Sequence, residues 1–206
     1  MFRLLYTPMS PFARKVRVAA IETGLDAQIS LVEADVWDPK SQTGRDAPLG
    51  QVPVLLGGPE PLPGSALICD FLDSLNTGAK LVPTEPQARW KVLASHALAD
   101  GVMTAAVAHT VERKRRPAEY LWPQWLERQE QKIARALTCL ESRELNADKP
   151  ADLFTVTLGC ALDGPTAPKV CGREWRASHP KLAAWAERIA ARPSFTATKP
   201  PPPKPH

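Results

Sequence analysis

The spacing of apolar positions changes several times along the chain, and each change marks an element. Phe2-Arg3-Leu4-Leu5-Tyr6 is a short apolar run of strand length, closed by Thr7-Pro8-Met9. From Pro11 the spacing becomes helical: Phe12, Val16, Ala19 and Ala20 share a face, and Arg14, Lys15 and Arg17 are expected largely on the wet side. Ser10 offers a side-chain acceptor to the unpaired N–H groups of the first turn, and Pro11 lacks an N–H that would have no partner there. Gly24 ends this helix, and Gln28-Ile29-Ser30-Leu31-Val32-Glu33 alternates as a strand. A polar loop runs to Pro48. Val54-Leu55-Leu56 then forms an apolar strand reached through Val52-Pro53, and Gly57-Gly58-Pro59 turns toward a helix opening at Ser65.

The remainder reads as helical. Asn76-Thr77-Gly78-Ala79-Lys80 is a polar, Gly-marked linker, after which Trp90, Leu93, Ala97, Val102 and Ala105 sustain a broad face to about Arg115, where Pro117 interrupts. A second long helix, from Tyr120 through Leu145, is expected antiparallel to it. Asp152 caps the apolar helix Leu153 to Leu162; Thr155 stands where a capping box uses Glu or Gln, which weakens the cap. Asp163-Gly164-Pro165 stops that helix early. Thr198 to His206 is dominated by proline and is expected as an extended tail without a role in the core.

Composition narrows the class. The chain has 206 residues, 44% hydrophobic and 23% charged, ordinary for a globular protein with a sizeable core. No apolar run approaches the roughly 20 residues needed to span a bilayer, and the first residues lack the layout of a signal peptide, so a cytoplasmic location without membrane association is expected. Cys69, Cys139, Cys160 and Cys171 lack C-x-x-C spacing and read as reduced thiols rather than metal ligands. The net charge of +4 is concentrated in one dense run, Arg113-Lys114-Arg115-Arg116, at a helix end where cations suit the dipole; nucleic acid is not an expected partner.

The stretch Pro48-Leu49-Gly50-Gln51-Val52-Pro53 carries the first hint of chemistry. A Pro at the mouth of a strand donates no ladder hydrogen bond, so Val52 keeps its N–H and C=O for a peptide-like ligand. A cis Val52-Pro53 bond would turn both groups outward; an ordinary trans bond at a strand start is the other reading.

The order strand, helix, strand, loop, strand, turn, helix, with Ser10-Pro11-Phe12, Val52-Pro53 and Ser65-Ala66-Leu67-Ile68-Cys69-Asp70-Phe71-Leu72, resembles the thioredoxin-like N-terminal domain of glutathione transferases, in their bacterial serine-type branch. The likeness runs on to Trp175 through Trp185 and Arg192-Pro193-Ser194-Phe195, similar to the last helix and tail of bacterial members. It implies an α/β thioredoxin-like domain at 1–76, a linker at 77–86, an all-helical domain at 87–195 and a tail at 196–206.

The resemblance also implies a site. Glutathione's thiol, like free Cys, has a pKa of about 8.5, so an enzyme must favour the thiolate. Ser10, at the positive end of a helix, is the candidate for that catalytic role. It serves equally as a plain N-cap, and a hydroxyl that accepts from the helix can still donate to sulfur. Tyr6 is a rival donor, and the absence of Cys from the loop after the first strand argues against thiol exchange.

Val52 is expected to pair with the cysteinyl backbone, beside Phe12, Gln51 and Pro53, and Ser65 to bind the γ-glutamyl carboxylate, unless it is a simple cap. Gly64 replaces an acidic residue that relatives use for the γ-glutamyl ammonium. Lys40 or Arg45 is the candidate for the glycine carboxylate. Met9, Met103, Val107 and Thr110 are candidates for an electrophile pocket, although such spacing is also that of core residues. His109 and Arg113 are expected near its mouth. The implied activity is conjugation of glutathione to a small hydrophobic electrophile by a homodimer, with glutathione as co-substrate and no cofactor. A glutathione-binding relative without turnover is the alternative.

Overall fold

A computed structural model describes residues 1–38, 46–164 and 175–201. Two apolar strands, β1 (Phe2–Tyr6) and β2 (Ile29–Glu33), run parallel because α1 (Pro11–Glu22) crosses between them. β3 (Val54–Leu56) pairs antiparallel with β1 on its other side, and the short β4 (Leu62–Pro63) returns beside β3, giving the order β2-β1-β3-β4. Then α2 (Ser65–Leu75) packs against α1. This is the expected α/β thioredoxin-like unit.

The helical part comprises α3 (Pro86–Arg115), α4 (Pro123–Glu141), α5 (Leu153–Leu162), α6 (Trp175–Ser178), α7 (Pro180–Ala190) and α8 (Pro193–Ala197). It shares one apolar core with the first domain: Leu4, Val16, Ile68 and Leu72 join Val102, Leu137, Leu158 and Phe195 in a single buried cluster. The linker is part of that structure, not a free spacer. Leu81 and Val82 are buried, and their N–H groups donate to the Asp73 carboxylate on α2 at 2.7 and 3.1 Å.

Several other expectations need correction. Arg14 and Lys15 are 2% and 0% exposed, not on a wet face. α1 lies between α2 and α5, so it buries more of its circumference than one apolar stripe accounts for. The Arg14 guanidinium donates to Asp163 Oδ2 at 2.6 Å, to the Asp163 and Phe195 carbonyls at 3.2 and 3.0 Å, and to Thr198 Oγ1 at 3.4 Å. Lys15 Nζ pairs with Asp100 on α3 at 2.8 Å.

Thr198 is therefore buried, and helix α8 extends to Ala197, so the tail begins later than residue 196. At α5 the cap is stronger than expected, since Asp152 Oδ1 accepts from both the N–H and the hydroxyl of Thr155 at 2.7 Å. Near the end of α5, Gly159 lets the last helices close in: a Cβ there would lie 2.5 Å from the Phe195 ring.

Candidate functional site

The strand register gathers the expected residues at one end of the sheet. β1 leaves it at Tyr6, and the chain turns through a bond from Ser10 N–H to the Thr7 carbonyl at 3.0 Å. β3 starts beside that exit, with Val54 opposite Leu5, so Gln51, Val52 and Pro53 precede it at the same edge. β4 ends there too, Pro63 pairing with Val54. A bond from Gly64 N–H to the Pro53 carbonyl at 3.1 Å then ties the start of α2 to the proline turn. The first turns of α1 and α2 thus face the same edge, each adding partial positive charge and unpaired N–H groups.

Ser10 is half-buried, with φ −75° and ψ 117°, and its Oγ accepts from Ala13 N–H at 3.2 Å. Accepting uses a lone pair and leaves the hydroxyl proton available. Phe12 is half-buried and packs on the core, and Gln51 is exposed. The Val52-Pro53 bond is cis. Among the described residues nothing hydrogen-bonds the Val52 N–H or C=O, while its side chain rests on the small cluster of Leu5, Ala47, Val54 and Leu56.

The cap of α2 is Gly64, at φ 85°, and Ser65 is the first helical residue, 6% exposed. The simple-cap reading of Ser65 is therefore replaced: Gly64 occupies the cap with no side chain to fill it. The positive φ gives a physical reason for a glycine at this position. Lys40 and Arg45 lie outside the described residues.

Of the pocket candidates, Met9 is 37% exposed beside Ser10, and Val107 and Thr110 are half-buried on α3, the Thr110 hydroxyl donating to the Ala106 carbonyl at 2.8 Å. Met103 is a correction: it is 0% exposed and belongs to the buried core cluster, with no face open to a pocket. His109 is buried between helices, its Nε2 2.9 Å from Glu130 Oε1 on α4. Tyr6, the rival donor, has Arg17 over its ring at 5.8 Å.

Sequence reasoning missed a contact that brings α3 to the site. Beyond β2, Trp37 lies under the Arg115 guanidinium at 4.5 Å, so the loop leaving the sheet edge meets the C-terminal end of α3. Neither residue carries a local signal of the other. The buried thiols contribute no nucleophile, since burial pushes Cys69 and Cys160 up to about 12.

Comparison with known proteins gives the family. The family described as Glutathione S-transferase, N-terminal domain, matches residues 9–75. A glutathione transferase family member from Pseudomonas fluorescens Pf-5, crystallised with glutathione, is 37% identical, covering 98% of this chain and 100% of that one, with a TM-score of 0.89. The chain belongs to the glutathione transferase family.

A second crystal structure of a Pseudomonas fluorescens Pf-5 family member, with bound S-(propanoic acid)-glutathione, is 37% identical over 98% of this chain and 99% of its own, with a TM-score of 0.85. The curated relative YibF of Escherichia coli K12, an uncharacterized GST-like protein, is 29% identical over 203 residues, 97% of this chain and 98% of its own. Among the described residues of this family member, no helix is long and apolar enough to cross a membrane.

Proposed function

We propose that this transferase binds glutathione along the sheet edge and conjugates it to small apolar electrophiles, with Ser10 as the catalytic residue of a serine-type site. The observation that carries the reading is the Ser10 hydroxyl, which accepts from Ala13 N–H and so keeps its proton for a sulfur at the positive end of α1. Each pKa unit by which the thiol is lowered corresponds to about 1.4 kcal/mol of extra stabilisation of the thiolate. The thiolate carbon–sulfur bond forms as the leaving group departs, or as a conjugated double bond gives up its π pair and takes a proton.

Val52 supports the reading as the partner of the cysteinyl backbone, with Phe12, Gln51 and Pro53 around it. Ser65 N–H, at the start of α2, takes the γ-glutamyl carboxylate, and Lys40 takes the glycine carboxylate. The γ-glutamyl ammonium finds its acid on a second subunit, since Gly64 offers none. Exposed Leu67, Leu75 and Trp90 on α2 and α3 support a homodimer through those helices. Met9, Val107 and Thr110 form the electrophile side. A cytoplasmic detoxifying role follows from such chemistry.

Conjugation of a dinitrohalobenzene, with the thiolate absorbance of bound glutathione, tests this. Ser10→Ala is expected to lower kcat/KM about 10- to 100-fold, the worth of one hydrogen bond to a charged group, and to raise the pH at which the thiolate band appears. Equal turnover and an unmoved band would remove Ser10 from the mechanism. The side-chain-free Gly64 favours a second reading, glutathione binding without turnover. Retention on immobilised glutathione with no conjugation by the unaltered protein would select it.

A further inference from the structure

The cations that close α3 exceed what the end of a helix calls for. Its C-terminal dipole amounts to about half a negative charge, yet Arg113, Lys114, Arg115 and Arg116 all stand there. Two of them are engaged. Arg116 Nε donates to Glu112 at 2.5 Å, and Arg115 lies over Trp37, which is 55% exposed. The loop's Asp35 turns its carboxylate back to Trp37 N–H at 2.9 Å. Among the described residues nothing pairs with Arg113 or Lys114.

The helix sets where Lys114 looks. Asp100, Val107, Val111 and Lys114 follow one another at seven, four and three residues, so they share a sector of about 60°. Asp100 fixes the direction of that sector. Its Oδ1 accepts from Lys15 Nζ at 2.8 Å, which turns the sector toward α1. Lys15, in the second turn of α1, thus meets α3 at Asp100, while Trp37, beyond the end of β2, meets it at Arg115. Ala34 N–H donates to the Tyr6 carbonyl at 2.9 Å, keeping the Trp37 loop beside the exit that leads to Ser10. Ser10 stands between these two contacts, so α3 runs past its edge from Asp100 to Arg115.

Along that sector the half-buried Val107 and the 36% exposed Val111 form an apolar wall, and Lys114 stands beyond them. Helical side chains lean toward the N-terminus, so Lys114 leans back over the wall. An apolar wall ended by an unpaired cation fits a substrate with an apolar body and an anionic head. Resting on the transferase reading, we propose that the electrophile carries a carboxylate and that Lys114 binds it, with Arg113 adding to the positive field. The carboxylate is a spectator in the reaction. With an aryl chloride, the thiolate forms the carbon–sulfur bond, chloride leaves with the electron pair of the carbon–chlorine bond, and the charge at the far side of the ring is unchanged. Lys114 therefore sets specificity and takes no part in the bond changes.

Chlorodinitrobenzoate and its methyl ester test this, each scaled to its uncatalysed rate with glutathione, because their ratio of kcat/KM reads the charge alone. The unaltered chain is expected to favour the acid, and to lose that preference as salt rises. Lys114→Gln is expected to lower the ratio about three- to fivefold, and Lys114→Arg to keep it. A ratio that neither falls in Lys114→Gln nor responds to salt overturns the proposal and leaves the transferase reading standing. An equal fall for acid and ester with a raised KM for glutathione also overturns it, since the cation then serves glutathione's own carboxylate. Conjugation of neither compound by the unaltered chain removes the transferase reading, and this assignment with it.

Discussion

The first two turns of α1 treat polar groups in opposite ways. At its start, Ser10 accepts one N–H and keeps a proton, and nearby Val52 leaves both backbone groups without a described partner. One turn later, Arg14 directs its guanidinium at a carboxylate, a hydroxyl and two carbonyls, and Lys15 is fully buried against Asp100. Unpaired polar groups are tolerable at an edge that water reaches, and costly in a seam it does not. The difference separates a surface built to meet a ligand from a surface built to hold two domains in register. It also connects them, since the helix that presents Ser10 is fastened by the seam.

The strongest way to break this contrast is to open the seam. Arg14→Met leaves the partly exposed Asp163 carboxylate and three neutral acceptors without their donor, and is expected to cost about 3 kcal/mol in urea unfolding. Adding Asp163→Leu should recover part of that loss, because the uncompensated charge goes with it. A cost under about 1 kcal/mol for the single change would mean the seam is not saturated as described.

A smaller test concerns the site edge. Gly64 sits at φ 85° with nothing within 4 Å of where a Cβ would be, so Gly64→Ala meets backbone strain alone. About 1–3 kcal/mol is expected, because φ 85° with ψ 133° lies outside the left-handed helical well that other residues can enter, with glutathione affinity nearly unchanged if the helix start keeps its direction. A large fall in affinity at unchanged stability would show that the cap, and not only its N–H groups, shapes the ligand site.

What the sequence disclosed follows the same division. Ser10-Pro11, Val52-Pro53 and Asp152 were legible because caps and proline turns act over two or three residues, and the first three strands because they are short apolar runs; their pairing and register were not. Arg14 and Lys15 were misread because their partners stand 149 and 85 residues away, and a helix covered on several sides shows no single stripe. Met103 carried the same ambiguity, since pocket walls and core share helical spacing. The meeting of Trp37 with Arg115 depends on two domains docking, which no local pattern encodes.

The smallest expected effect lies at the seam's only described imidazole. His96 is 8% exposed, and its Nδ1 is 3.0 Å from Thr157 Oγ1, whose own proton goes to the Leu153 carbonyl at 2.7 Å. The hydroxyl can therefore only accept, which assigns the donor proton to Nδ1. Burial holds the His96 pKa below 6.5, nearby Lys15 adds to the effect, and Asp100 opposes it. With a folded-state pKa below the unfolded one, the unfolded chain binds the proton first. Above pH 6.5 the ring is neutral in both states and stability is unaffected; as pH falls below that value, stability declines until the folded pKa is passed. His96→Gln keeps a donor for Thr157 and cannot titrate. Urea midpoints measured from pH 7 to 5 should fall less steeply in that variant, by no more than about 1.4 kcal/mol per pH unit for one proton. Parallel slopes would mean that His96 gains its proton without opening the seam.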